Sequence, residues 1–331
     1  MNSFEQGPIV PDELTDLLDD PTVQAAQEDW QDWTLRDVHK AMPEPTATEY
    51  GRAVVLEPEG DWDGTTTVLA TPFQQAWKPS MFIRAAYAQQ AVAPESRMVI
   101  LPNNSVTDTY YHFERPELGQ LSSGNLTPLF EHQARVLEAL GVEGKVMLSG
   151  YSMGALTAIG LAKVCSERLA VVSVNADEAP TGGREPKALN KDFMTSGGWG
   201  EQRAAIADAR VPALSEALKT RRLAFDYARF GTASLLSMVG LRPVNKALAE
   251  GMARVDFGAL LLEARAQFPE AIIKLGRVVD SRMVQLERVP QAAADIREYS
   301  GAGAHKHTTG DNVVAHALMM LDAQRLERNA A

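Results

Sequence analysis

The chain has 331 residues, 45% of them hydrophobic and 23% charged, so it is long enough to bury a large core as one domain or as a domain with an insertion. Its formal net charge of −11 argues against a nucleic-acid partner, because neutralising phosphates requires a clustered basic face. Without a signal-peptide pattern, an apolar run of about 18 residues or a second cysteine to pair with Cys165, we expect a cytoplasmic protein with no membrane span.

The N-terminal region is acidic. Residues 1–50 contain twelve Asp and Glu against two Lys and Arg, a net charge of −10. We interpret residues 1–48 as an acidic arm. Such an arm is either solvated or packed through Trp30 and Trp33 against the helical cap predicted below or against the seam between cap and core. The two aromatic rings would supply most of the docking energy.

From about residue 50 the chain alternates short β-branched or apolar runs with helical patterns. Several runs are apolar on both faces, as strands are when helices cover both sides of a parallel sheet. The predicted strands are 52–58, 65–71, 97–102, 145–150, 170–176, 271–276 and 295–301. In one intervening segment, Thr127 is suited to cap a helix, Pro128 to occupy its first position and Gly141 to end it. The alternation predicts an α/β protein with a doubly wound, mostly parallel sheet.

Residues 181–268 interrupt this alternation. The segment has helical patterns and no convincing strand, and its 13 Lys and Arg against 9 Asp and Glu give a charge of +4. An insertion of this length exceeds a simple crossover connection. We therefore predict a helical cap at 181–268, inserted into a core formed by 49–180 and 269–331.

The sequence "KVMLSGYSMGALTAIGLAKV", residues 145–164, places a serine between two glycines at the junction of a predicted strand and a predicted helix. A sharp turn there would hold Ser152 in a strained backbone conformation and lift its Oγ above the sheet edge. Gly150 and Gly154 would remove the Cβ atoms that collide where strand and helix approach. The following helix would direct its N-terminal N–H groups at a negative charge developing on a substrate. The motif indicates a nucleophilic serine.

This strand-turn-helix motif resembles the nucleophile elbow of the α/β-hydrolase fold superfamily, over roughly residues 50–325 of this chain. The resemblance implies a triad in which a carboxylate orients the histidine that activates Ser152. Asp280 follows the predicted strand 271–276 and is our preferred acid. Asp177 and Glu178 follow the strand 170–176, where some members of the superfamily place their acid instead, and they are the alternatives.

The resemblance places the catalytic base after the last strand, in "SGAGAHKHTTGDNVVAHALMML". His305 is the first histidine after a glycine-rich turn and is our preferred base. His307 follows two residues later and is the alternative.

An oxyanion hole requires two N–H donors. In proteins of this superfamily, the residue directly after the nucleophile supplies the first donor. In this chain that residue is Met153. The second comes from the loop after the first central strand, where the family commonly has His-Gly and this chain reads "VLATPFQQAWKP". Because Pro72 has no N–H, Phe73 or Gln74 is the candidate, and we select Phe73.

These features imply hydrolysis of a small acyl or ester substrate through an acyl-enzyme, with carboxylic esters as the preferred class. The same triad also serves cofactor-free haloperoxidases, carbon–carbon bond hydrolases and lyases, and a non-catalytic binding module is a further alternative. The sequence shows no metal-ligand cluster, phosphate-binding loop or dinucleotide motif, so we expect neither a cofactor nor a metal. It does not predict an oligomeric state.

Overall fold

A computed structural model describes residues 43–58, 60–73, 95–104, 109–165, 168–189, 243–278 and 283–299. Most of the predicted arm, Asp280, His305 and His307 lie outside these residues. Residues 190–242 of the predicted cap also lie outside them, so the cap stays a prediction.

A single eight-stranded sheet forms the centre of the described structure. The strands run in the order β1-β2-β4-β3-β5-β6-β7-β8. The β1–β2 and β2–β4 pairs are antiparallel and all other pairs are parallel. Their bounds are β1 Thr46–Ala47, β2 Arg52–Leu56, β3 Thr65–Ala70, β4 Arg97–Leu101, β5 Gly144–Tyr151, β6 Leu169–Asp177, β7 Ile272–Val278 and β8 Asp295–Tyr299. The predicted mostly parallel α/β sheet is confirmed.

Five α-helices of the described residues flank this sheet. They are α1 Arg115–Ser123, α2 Thr127–Ala139, α3 Met153–Val164, α4 Pro243–Arg254 and α5 Phe257–Gln267. Helix α3 packs on β5 and β6, and both α2 and α5 pack on α3. Helix α4 packs on α1. Two short 3₁₀ turns, Leu286–Arg288 and Gln291–Ala293, connect β7 to β8.

The core is deepest around β3, β5 and α3. All six residues of β3 are buried, as expected for a central strand that is covered on both faces. Residues 153–162 of α3 are buried without interruption. A Cβ atom at Gly160 would overlap the ring of Phe130, so a glycine allows α2 to approach α3 closely. These contacts fix the position of α3 behind the turn that contains Ser152.

All seven predicted strands are present, and their bounds differ by one or two residues from those predicted. The prediction that Thr127 caps α2 is wrong, because the helix already includes Thr127 and its N-cap is Leu126. The Asn125 Oδ1 atom accepts the hydrogen bond from the Thr127 backbone N–H at 3.1 Å instead. Asn125 therefore satisfies the N–H of the first helical residue, Thr127, which the sequence had predicted as the cap.

Candidate active site

Ser152 forms the turn between β5 and α3. Its backbone has φ 56° and ψ −120°, a conformation that non-glycine residues seldom adopt. Within the described residues, only Ser152 and Glu178 among non-glycine residues have a positive φ. The strained serine predicted from the sequence is therefore present, at the junction of strand and helix where it was expected.

Two glycines make this turn possible. A Cβ atom at Gly150 would overlap the carbonyl oxygen of Gly154 and approach the Ala155 backbone nitrogen to 2.8 Å. A Cβ atom at Gly154 would overlap the carbonyl oxygen of Ala70, at the end of β3. Since backbone atoms cannot move aside as a side-chain end can, any larger residue at either position would displace the turn.

Ser152 is held against the neighbouring strand. Its backbone N–H donates to the carbonyl oxygen of Asp177 at 2.8 Å, across the carboxyl ends of β5 and β6. Ser152 is only 2% exposed, and Met153, the first residue of α3, is fully buried. The first N–H groups of a helix have no partner within it, so the Met153 N–H is suited to bind a developing oxyanion.

The alternative acids lie directly beside this turn. Asp177 is 1% exposed and Glu178 is fully buried at the end of β6. Glu178 has φ 50°, and its backbone N–H donates to the Gly276 carbonyl oxygen of β7 at 2.9 Å. The structure thus places two buried acidic residues next to Ser152, so both stay candidates for the triad acid.

The described residues on either side of the segment that contains the preferred acid, Asp280, lie at the same edge of the sheet. Strand β7 ends at Val278, and residues 279–282 lie outside the described residues. Beyond them, the carbonyl oxygen of Met283 accepts from the Thr181 backbone N–H at 3.1 Å and from the Thr181 Oγ1 at 3.2 Å. The Thr181 Oγ1 in turn accepts from the Gln285 backbone N–H at 3.0 Å. Sequence analysis did not identify this role of Thr181.

The predicted bases follow β8, which is parallel to β7 and ends at Tyr299. The chain that carries His305 and His307 therefore leaves the sheet at its carboxyl edge, the edge that also holds Ser152. Both histidines lie outside the described residues, so neither is selected over the other.

The predicted second oxyanion donor belongs to the loop that follows β3. Phe73 is 4% exposed, whereas Gln74 lies outside the described residues. Hydrogen bonds between Asn103 and Thr71, a residue that sequence analysis did not assign to the site, connect the ends of β3 and β4. The sequence signal for Asn103 is its position directly after the predicted strand 97–102.

Features elsewhere in the described chain do not add to the site. Burial raises the pKa of the Cys165 thiol to about 12, so this cysteine is not a thiolate at neutral pH. The described residues contain no cluster of three or more His, Cys, Asp or Glu suited to a metal ion. Across the same residues, no helix has the length and apolar character needed to span a bilayer.

Comparison with known proteins identifies the fold. No protein-family model matches the sequence, and no curated protein matches it. Among solved structures, one from a study of carboxylesterases of the thaumarchaeon Nitrososphaera gargenis has a TM-score of 0.55 at 14% identity, and the match covers 86% of this chain and 99% of that one. A Bacillus subtilis protein named as a hydrolase has a TM-score of 0.53 at 13% identity, with 94% and 99% covered.

A third structure, the α/β hydrolase MGS-M2 from a Medee basin deep-sea metagenome library, has a TM-score of 0.50 at 12% identity, with 84% of this chain and 97% of that chain covered. The strand order, the parallel pairing of the central strands and these structural neighbours all indicate the same fold. The chain has the α/β-hydrolase fold.

Proposed function

We propose that this protein is a serine hydrolase that cleaves carboxylic esters through an acyl-enzyme, with Ser152 as nucleophile, His305 as base and Asp280 as acid. The observation that carries the proposal is the backbone of Ser152, φ 56° and ψ −120°, between a buried strand and a buried helix. A fold stores strain of this kind where a side chain must be presented to a ligand. The hydrolases among the structural neighbours support the coarser part of this proposal, that the protein is a hydrolase.

In the acylation step, His305 removes the proton from the Ser152 Oγ as this oxygen forms a bond to the ester carbonyl carbon. The electron pair of the carbonyl moves to its oxygen, where the N–H groups of Met153 and Phe73 stabilise the negative charge. The tetrahedral intermediate then collapses, the bond to the alcohol oxygen breaks, and the protonated His305 transfers its proton to the leaving alcohol. Asp280 keeps the imidazole in the tautomer that accepts from serine.

Deacylation repeats these steps with water. His305 takes a proton from water, the resulting hydroxide attacks the acyl carbon, and Ser152 leaves with the proton that the histidine returns. Since Ser152 is 2% exposed, bulk water has little access to it in this conformation. The proposed cap would then control which acyl groups and how much water enter, through residues other than α5, which packs on α3.

The experiment that tests the proposal is turnover of p-nitrophenyl esters of increasing acyl length by the wild type and by Ser152→Ala. We expect wild-type turnover with an optimum acyl length that reports the depth of the pocket. The alanine variant should lose about 10^3-fold or more in kcat, because triad members act as a unit.

Ser149→Ala is a matched control, since Ser149 is a buried hydroxyl residue of the same strand, β5, to which the mechanism gives no role. It should keep most of the turnover. Undiminished turnover in Ser152→Ala would refute the proposal. A wild type that hydrolyses no ester and forms no adduct with a fluorophosphonate would instead favour a binding module.

A further inference from the structure

The ends of β3 and β4 are joined by three hydrogen bonds around Thr71. The Thr71 backbone N–H donates to the Leu101 carbonyl oxygen at 3.0 Å, and the Asn103 backbone N–H donates to the Thr71 Oγ1 at 2.9 Å. The third bond runs from the Asn103 Nδ2 to the Thr71 carbonyl oxygen. Both Thr71 and Asn103 are completely buried. The backbone and the side chain of Asn103 thus both bind Thr71, the first residue after β3.

The Thr71 carbonyl lies against the proposed nucleophile's turn. A Cβ atom at Gly154 would be 2.9 Å from the Thr71 oxygen, so this peptide group directly contacts the first turn of α3. The same peptide group joins Thr71 to Pro72, whose ring fixes φ near −65°. The orientation of the Thr71 carbonyl therefore determines the direction in which the chain reaches the N–H of Phe73.

Only one of the two polar atoms of the Asn103 side-chain amide has a hydrogen-bond partner in the described part of the chain. Its Nδ2 donates to Thr71, whereas its buried Oδ1 accepts no hydrogen bond from the described part of the chain. A buried acceptor without a partner is destabilising, so the Oδ1 atom gives no reason for an asparagine at this position. The benefit of asparagine here lies in the donor and in the carbonyl that it orients.

We propose that Asn103 is a positioning residue of the oxyanion hole: by binding the Thr71 carbonyl, its Nδ2 aims the Phe73 N–H at the oxygen that the Met153 N–H also binds. This inference rests on the proposed function, because it assigns the second donor of that same site. Asn103 does not touch the substrate in this account. It acts through the peptide group that precedes Pro72.

The test compares Asn103→Leu with the wild type, using one p-nitrophenyl ester and a fluorophosphonate. Displacing an oxyanion donor by about 1 Å should lower kcat about 10^2-fold, while KM changes little because the ground-state carbonyl gains less from the hole. Adduct formation with the fluorophosphonate should slow by a similar factor, since its phosphoryl oxygen enters the same hole. The pH dependence of kcat should not shift, because the histidine is unchanged.

Two further variants keep the test decisive. Asn104→Asp is the matched control: the Asn104 Nδ2 donates to the Tyr111 carbonyl oxygen at 2.9 Å and aspartate lacks this donor, so we expect lower thermal stability with kcat near that of the wild type. If Asn103→Leu does not fold, Thr71→Val serves instead. It removes only the Oγ1 acceptor, and it should lower kcat about tenfold without a matching rise in KM.

A folded Asn103→Leu with wild-type kcat and a wild-type rate of adduct formation would overturn the inference. So would a variant whose KM rises while kcat is kept, since that would place Asn103 in ground-state binding. Failure of the proposed function is visible separately, as ester turnover that survives in Ser152→Ala. If the wild type is active, Ser152→Ala is inactive and Asn103→Leu is fully active, only the positioning role of Asn103 is rejected.

Discussion

The amino edge of the sheet, where the parallel strands begin, and the carboxyl edge, where they end, differ in the residues that adopt a positive φ. At the edge where β3 and β5 begin, the positive φ angles of the connecting loops belong to glycines: Gly60, Gly64, Gly141 and Gly144. At the edge where β5 and β6 end, positive φ angles also belong to Ser152 and Glu178. A left-handed backbone costs little on glycine and about 1–2 kcal/mol on another L-residue.

The burial of acidic side chains also differs between the edges, because Glu57 and Asp63 at the amino edge are exposed. At the amino edge, Asp63 accepts from the Thr65 N–H at 2.7 Å and from the Ser96 Oγ at 3.2 Å, and Arg97 pairs with an exposed Glu57 at 3.2 Å.

At the carboxyl edge, Asn103, Asp177 and Glu178 are at most 1% exposed. The polar contacts at the amino edge thus stabilise the fold. The carboxyl edge stores strain and buried polar groups, which is typical of a functional site.

The largest expected effect concerns the predicted bases, which follow β8 in the chain. His305→Ala should lower kcat about 10^3-fold or more, as a triad histidine requires, while His307→Ala should keep substantial turnover. Steady-state kinetics on one ester measures both. A reversed order would move the base to His307.

The next effect separates the acids. Asp280→Asn should lower kcat on the order of 10^3-fold, because the amide no longer holds the imidazole in the required tautomer. Asp177→Asn and Glu178→Gln should retain more turnover than Asp280→Asn. Circular dichroism spectra should show all three variants folded. High activity in Asp280→Asn with inactive Glu178→Gln or Asp177→Asn would assign the acid to the end of β6.

The strain itself can be measured at both edges. Ser152→Gly should be more stable than Ser152→Ala by about 1 kcal/mol, since glycine relieves the backbone but is more flexible when unfolded. At the amino edge, Gly64→Ala should be destabilised by about 1–2 kcal/mol, because φ is 84° there and a Cβ atom would contact nothing within 4 Å. Urea titrations report both differences. Equal stability of the two Ser152 variants would show that the turn is not strained.

The smallest effect concerns Asp63. Asp63→Ala removes the acceptors of Thr65 and Ser96 and should lower the free energy of unfolding by about 1–3 kcal/mol. Its kcat and KM should equal those of the wild type, because the amino edge has no part in the proposed chemistry. A loss of turnover in a folded Asp63→Ala would weaken the division between the two edges.

The features that sequence predicted are local ones. The apolar runs of β3 and β5 and the glycines around Ser152 specify strand, turn and helix within a few residues of each other. The two-residue strand β1 escaped prediction because Thr46 and Ala47 are exposed and carry no apolar pattern. The contacts of Asn103 with Thr71, 32 residues apart, and of Thr181 with Met283, 102 residues apart, arise only when strand ends meet in the folded sheet.

The most direct test of the central claim is to map the adduct of a fluorophosphonate by mass spectrometry of the intact protein and its peptides. A serine presented by the strained turn and activated by a histidine should give one adduct per chain, on Ser152, and none in Ser152→Ala. An adduct on another residue, or equal labelling of Ser152→Ala, would contradict the account.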